Sequence, residues 1–329
     1  MKALITGIGG QDGSYLTELL LDHGYEVTGI VPRPDAEYEN LAAVRSRIEL
    51  LHVDLLDEDA LARALRERAP AEVYNLASPS FVPTSWEEPV RTAEFAAVGV
   101  TALLEAIRAV DASIRVYQAS SSEIFGEPST WPQTEETPLS PLTPYGVAKA
   151  YGHFIVGSYR RRYGLHASCG ILYNHESPRR PTDFLPSKVA HAAVAISLGL
   201  ERELTVGDLH AQRDWGYASD YVEAMRLMLR QEEPDDYVIA TGESHTVREL
   251  CEEAFGHIGL DYAKYVDIDP RYYRPTEVDF LLGDPSKAMK RLGWKPRTSF
   301  KEIVRIMMVS DLADAEREKR AGGADARDG

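Results

Sequence analysis

Two residues four apart, Tyr145 and Lys149 in TPYGVAKAYGHF, have the types and spacing of a proton-handling pair. On a helix such a pair projects from one face within a turn. An ammonium beside a phenol favours the phenolate and draws down a pKa that starts near 10. Tyr145 is therefore suited to take a proton from a substrate hydroxyl. A second chemical group stands in SSSEIFG, residues 120–126, where Glu123 follows three serines at the end of an apolar run. A carboxylate where a strand enters a core needs a reason, and loops at strand ends are where functional side chains collect. A third motif, TGIGGQDGSYL, spaces Gly7, Gly10 and Gly13 as G-x-x-G-x-x-G directly after the first apolar run. Glycines there let the backbone turn sharply and approach a pyrophosphate, while the next helix offers free N–H groups to the anion. Together the motifs point to hydride exchange between a hydroxyl-bearing carbon and a nicotinamide dinucleotide.

The elements that must position these groups read as short apolar runs alternating with amphipathic helical stretches. KALIT (2–6), YEVTGIV (25–31), IELLHVDL (48–55), EVYNLA (72–77), IRVYQAS (114–120) and HASCGILYN (166–174) are rich in β-branched and aromatic residues, as strands buried on both faces are. Between them lie helical patterns such as Leu16, Leu19 and Leu20 ahead of Gly24, a C-cap candidate. The alternation predicts βαβ units in an α/β, Rossmann-like, doubly wound parallel sheet. Residues 1–175 are expected to be mainly an NADP-binding Rossmann domain. Beyond that, proline and charge in ESPRRP, DIDPRYYRPTE and GDPSKAM break the rhythm. Residues 176–315 are read mainly as a smaller C-terminal substrate-binding lobe, interleaved with the last elements of the Rossmann domain. Thr246 with Glu249, and Ser299 with Glu302, have the form of capping boxes. The polar, glycine-rich residues 316–329 read as a flexible tail.

Composition restricts the partners. A chain of 329 residues, 44% hydrophobic and 27% charged, is long enough to bury a substantial core. A formal charge of −16 disfavours nucleic acid and anionic membranes. Any anionic ligand must then meet a local cluster of Arg and Lys. The two cysteines, Cys169 and Cys251, form no metal or redox spacing and read as buried packing in a cytoplasmic protein. No metal is expected. The apolar part of MKALITGIGG is too short for a signal peptide, and no run approaches a membrane span.

The second strand ends GIVPRP with no acid on its last residues and Arg33 just beyond. An acid at that point holds the ribose hydroxyls of NAD, so its absence favours the 2′-phosphate of NADP. Asp35 keeps NAD possible, either directly or by pairing with Arg33. Asp54 and Leu55 come after the third strand and are placed to reach the adenine edge, or else Asp54 starts the next helix.

The stretches ALITGIGGQDGSYL, YNLASPSFVPTSW, YQASSSEIFG, PYGVAKAYGH, GILYNHESPRR, RDWGYASDYVEAM, VIATGE and YYRPTEVDFLLGDPSKA resemble, over nearly the full chain, the GDP-mannose 4,6-dehydratases among the extended short-chain dehydrogenase/reductases. NHESPRR and RPTEVDFL discriminate this family from the wider superfamily. The resemblance implies a sugar-nucleotide 4,6-dehydratase working as a homodimer or homotetramer. In it Glu123 is the second base: once carbon 4 is a ketone, the hydrogen on carbon 5 becomes acidic, and one carboxyl must remove it and protonate the departing 6-hydroxyl. Ser121 matches a hydroxyl position, usually threonine, that bonds the 4-oxygen. Gln11, Asp12, Leu76, Ala77, Ser80, His175 and Arg180 match cofactor-side positions, with Ser80 also facing the sugar. Asn174 is expected to bond the sugar diphosphate, Lys188 and Glu277 to line the nucleotide end, and Arg213 and Arg274 to clamp the phosphates in forked geometry.

Departures accompany the match. Pro79 replaces an amide side chain, PRPD replaces paired arginines after the second strand, and Leu142, Pro186 and Ser187 differ on the substrate side. They leave open another nucleotide sugar, such as a GDP-heptose, or an epimerase or decarboxylase of the superfamily. A cofactor-binding sensor without turnover is opposed by the intact set of Ser121, Glu123, Tyr145 and Lys149.

Overall fold

The computed structural model of the protein describes residues 1–33, 36–269 and 280–325. Strands β1 (Lys2–Thr6), β2 (Glu26–Val31), β3 (Glu49–His52), β4 (Glu72–Asn75), β5 (Arg115–Ala119), β6 (Ala167–Leu172) and β7 (Tyr237–Ile239) form one parallel sheet. Its order, 3-2-1-4-5-6-7, reverses between β1 and β4 and opens a crevice at the carboxyl ends of those strands. Adjacent strand residues face opposite sides, and both sides are covered. Ile5, Tyr74 and Tyr117 pack under α1 (Gln11–Asp22) and a later helix, Ala218–Leu229. Leu4, Val73 and Val116 pack under α2 (Glu58–Arg68), α3 (Gly99–Val110) and α4 (Pro144–Tyr163). This two-sided burial is why the strands read as unbroken apolar runs rather than as alternating ones.

A separate core gathers α5 (Leu185–Ser197), the strand Leu204–Val206, α7 (Val247–His257) and α8 (Phe300–Asp325) around Trp215, Phe255 and Met308. The helix between α5 and α7, α6 (Ala218–Leu229), belongs to the first core, so the chain crosses back to the sheet before β7.

Several sequence readings shift by local chemistry. The third apolar run leaves the sheet at His52, and Asp54 accepts the Leu56 N–H at 3.0 Å in a turn before Asp57 caps α2. Thr246 forms the full capping box with Glu249. At Ser299 only half forms: the hydroxyl receives the Glu302 N–H at 3.4 Å, while the Glu302 carboxylate turns to Arg305 at 2.6 Å. The tail expected from residue 316 instead continues α8 as far as Asp325, since EREKRA is made of strong helix formers. No helix among the described residues is long and apolar enough to cross a membrane, and no group of three His, Cys, Asp or Glu among them could hold a metal.

Candidate active site

The crevice above the switch point deepens into a cavity of about 1020 Å³ bounded by both cores. Its floor is the turn from β1 into α1. Gly7 has φ +70°, and a Cβ there would lie 2.9 Å from the Ala77 backbone; at Gly13 it would lie 2.4 Å from the Gly7 carbonyl. Only glycine allows this turn to close. The Gly10 N-cap of α1 supplies no side-chain cap, and the helix start from Gly10 to Gly13 lines the cavity, with only the Gly10 and Ser14 N–H groups turned to the local Gly7 and Gly10 carbonyls. That combination is a cradle for a pyrophosphate, and it fits a dinucleotide cofactor.

One wall is formed by β5 and the turn at its carboxyl end. Ser121 caps a single 3₁₀ turn, Ser122–Ile124, accepting the Glu123 N–H at 3.2 Å, and this turn presents Glu123 to the cavity. The facing helix α4 starts with Thr143 as N-cap, bonded to the Gly146 N–H at 2.9 Å, and Pro144 at the first helical position. A side chain at Gly146 would meet the Glu123 carbonyl at 2.6 Å, so the helix start and the 3₁₀ turn touch backbone to backbone. Tyr145 and Lys149 therefore line the same cavity as Ser121 and Glu123. Lys149 Nζ donates to the Ala119 carbonyl at 3.0 Å and stands 5.6 Å from the Tyr145 ring centre.

The electrostatics differ from the sequence expectation. Burial pushes the Tyr145 phenol up to about 12, with the Ser121 hydroxyl opposing and the Glu123 charge reinforcing the shift. Burial likewise lowers Lys149 to about 8. In the protein alone, desolvation outweighs the Ser121 hydroxyl and the Arg180 charge that oppose it, and the phenol stays protonated at neutral pH.

A further side is built from the short strand Asn174–Glu176, which leaves β6 after Leu172 and pairs with Trp215–Tyr217 in its own small sheet. His175 Nε2 contacts the Asp12 carboxylate at 2.9 Å, and its Nδ1 lies 2.7 Å from the Tyr173 carbonyl. Burial disfavours both charges, but the charge and hydrogen bond of each partner prevail, leaving Asp12 below and His175 above its ordinary value. Gln11 donates to the His175 carbonyl at 3.1 Å and accepts the Ser177 hydroxyl at 2.7 Å. Arg180 Nε lies 3.2 Å from the buried Glu176, an ion pair by distance whose angles do not make a hydrogen bond.

Leu76 and Ala77 line the cavity beside the Gly7 turn, and Ser80, Asn174, Lys188 and Arg213 line it as well, with Lys188 donating to the Thr205 carbonyl at 2.9 Å. Arg33, Asp54 and Leu55 lie beyond the cavity lining; Arg33 is exposed, Asp54 holds its own turn, and Leu55 is buried beneath α2 and α3. Tyr38 accounts for where Arg33 stands, since its hydroxyl donates to the Arg33 carbonyl at 2.8 Å while its ring lies against Gly9. Arg274, Glu277 and Asp35 lie outside the described residues. Of the departures, Leu142 is exposed and away from the cavity, Pro186 lines it, and Ser187 ties down the Arg180 carbonyl at 2.9 Å. Glu176 and Asp208 also line the cavity and were not singled out from sequence. The only signal for Glu176 was its place inside NHESPRR.

Comparison with known proteins agrees with this geometry. The sequence profile described as GDP-mannose 4,6 dehydratase matches residues 4–307. GDP-mannose 4,6 dehydratase 1 of Arabidopsis thaliana is 49% identical, with 96% of this chain and 91% of that protein covered. The Homo sapiens GDP-mannose 4,6 dehydratase is 45% identical, covering 94% and 91%. Among solved structures, the UDP-glucose 4-epimerase of Thermus thermophilus, in complex with NAD, superposes with a TM-score of 0.84 at 30% identity over 94% of this chain and 99% of that one. With the profile spanning most of the chain and the plant relative nearly half identical from end to end, the protein belongs to the GDP-mannose 4,6-dehydratase family.

Proposed function

We infer that the protein is an NADP-dependent hydro-lyase converting GDP-mannose to GDP-4-keto-6-deoxymannose. The observation that carries this reading is the convergence of Ser121, Glu123, Tyr145 and Lys149 with the glycine cradle on one cavity. A nicotinamide held there would supply an electron-pair acceptor for the hydrogen of carbon 4 and later return it to carbon 6. The positive charge of an oxidised nicotinamide, added to that of Lys149, would favour the Tyr145 phenolate that the protein alone does not hold; in that form Tyr145 takes the proton of the 4-hydroxyl, and the Ser121 hydroxyl bonds the 4-oxygen as its charge changes. Lys149, anchored on the Ala119 carbonyl, keeps positive charge near the phenol. Glu123 removes the carbon 5 proton and protonates the departing 6-hydroxyl, so that water leaves across carbons 5 and 6; hydride return to carbon 6 is then matched by a proton to carbon 5, which gives back the one that Tyr145 took. Asn174, Arg213 and Arg274 hold the diphosphate, and Lys188 and Glu277 line the nucleotide end.

Residues 1–175 supply most of the cofactor side and 176–315 most of the substrate side. Arg33 favours NADP over NAD through a 2′-phosphate contact, although the Thermus epimerase named above carries NAD. An epimerase of the superfamily is the second reading, supported by that shared fold and opposed by Glu123. The protein works as a homodimer or homotetramer in the cytoplasm, with no nucleic-acid or membrane partner. Incubating the purified protein with NADP and GDP-, UDP-, dTDP- and CDP-sugars, with mass spectrometry for loss of one water, tests the assignment. The expected result is loss from GDP-mannose; loss only from another sugar, or none from any, overturns it.

A further inference from the structure

Asp214 lies outside the chemistry just described, yet it is the most densely bonded carboxylate among the described residues of the lobe junction. It is fully buried, and four donors converge on it. Its Oδ1 accepts the Thr241 N–H at 2.8 Å and the Thr241 hydroxyl at 2.7 Å; its Oδ2 accepts the Gly242 N–H at 3.0 Å and the Gly283 N–H at 3.5 Å. Those donors come from two separate segments, the exit of β7 and the loop at 280–284. Asp214 itself belongs to a third, the chain at 212–217.

The third segment carries the cavity wall. Successive side chains of an extended segment face opposite ways, and here Arg213 and Trp215 line the cavity while Asp214 points into the junction. Elsewhere the segment is held by backbone pairing, Arg213 opposite His245, Trp215 opposite Asn174 and the Leu281 N–H on the Gln212 carbonyl at 3.4 Å, and by the Trp215 ring stacked on Phe300.

We propose that Asp214 is a positioning residue for substrate binding: it fixes the backbone that aims Arg213 relative to the Rossmann core. The inference rests on reading Arg213 as a ligand of the nucleotide diphosphate. The groups of the chemical step are held by other elements, the end of β5 and the start of α4, and the cofactor cradle by β1 and α1. Loss of Asp214 should therefore weaken substrate binding selectively. Asparagine at this position keeps the shape but turns an NH₂ group toward backbone donors, breaking at least one contact.

The test measures, for Asp214→Asn, the affinity for GDP by calorimetry, KM and kcat with GDP-mannose, and the affinity for NADPH. The expected result is a rise of about tenfold in KM and in the GDP dissociation constant, the size of one lost charge-assisted hydrogen bond, with kcat and NADPH affinity within about threefold. Unchanged GDP affinity, or a parallel loss of NADPH binding and kcat, overturns the proposal, the latter because it marks general structural damage. If Asp214→Asn does not fold, Thr241→Val removes one donor and should raise KM about threefold with kcat unchanged; an unaltered KM overturns the proposal there. Arg213→Ala separates the underlying reading: if it leaves GDP affinity intact, Arg213 is not a diphosphate ligand and that premise fails, whereas a weakened Arg213→Ala beside a normal Asp214→Asn sinks the positioning role alone.

Discussion

Glu123 and Tyr145 divide two proton transfers by where each is anchored. Tyr145 stands on the first turn of a capped helix, while Glu123 rides on a single 3₁₀ turn whose backbone touches that helix. Removing the carboxylate charge should stop the second transfer and spare the first. In Glu123→Gln, turnover to the 4-keto-6-deoxy product should fall about 10²- to 10⁴-fold, the range of a lost acid–base group. Substrate should still reduce bound cofactor, seen as NADPH absorbance in a single turnover, and normal product formation would refute the role. Arg33 gives a second expectation. One charge-assisted contact to a 2′-phosphate is worth about 1.5 to 3 kcal/mol. Arg33→Ala should accordingly reduce the preference for NADP over NAD by about ten- to a hundredfold, read by titrating both cofactors into stripped protein. A preference that does not move would place the discrimination elsewhere in the loop.

At the scale of elements, the contact between the start of α1 and the strand Asn174–Glu176 depends on Asp12 and His175. These residues are 163 positions apart, and both are mostly buried. The directions of their shifts set the pH dependence. His175 is raised in the folded protein, so its contribution is complete below the unfolded value of 6.5 and is lost as pH climbs through the raised one. Asp12 is lowered, so its contribution is present above the unfolded value of 3.8 and is lost as pH falls through the depressed one. Asp12→Asn should lower stability by about 2 kcal/mol, the size of a charge-assisted hydrogen bond, across roughly pH 4.5 to 6.5. The difference from wild type should shrink as the pH climbs through the raised His175 value. Thermal unfolding of both proteins across that range checks it, and a difference independent of pH would mean that the pair is not ionic.

For the whole molecule, α4 buries Tyr145 and Lys149 on one side and on the other exposes Val147, Tyr151 and Phe154, at 55%, 46% and 59%. Their i, i+4, i+7 spacing makes one apolar stripe. Tyr151 also reaches Thr101 on α3, with 3.1 Å between the hydroxyls, which widens the stripe across two helices. Such a face suits a self-complementary contact with a second copy. Phe154→Glu should shift the protein to monomer in sedimentation analysis; an unchanged assembly would move the contact to another face. An oligomer built there would brace the helix that carries Tyr145, so the same variant should also lose activity.

The sequence by itself determined the alternation of strands and helices, the glycine cradle, the Tyr145–Lys149 pair and the position of Glu123, because each is local. Strands buried on both faces must be apolar throughout, a glycine string must come directly after its strand, and an i, i+4 pair needs only one helix. The seventh strand, Tyr237–Ile239, escaped because three residues show no period. Pairings across long separations were likewise unreadable. Neither Asp12 with His175 nor Asp214 with Thr241 and Gly283 has a signature in spacing, since chain crossovers bring them together. The ionisation of Tyr145 was decided by tertiary structure as well. The motif places an ammonium beside the phenol, but packing removes water from both, and that desolvation outweighs the opposing Ser121 hydroxyl and Arg180 charge and pushes the phenol up to about 12.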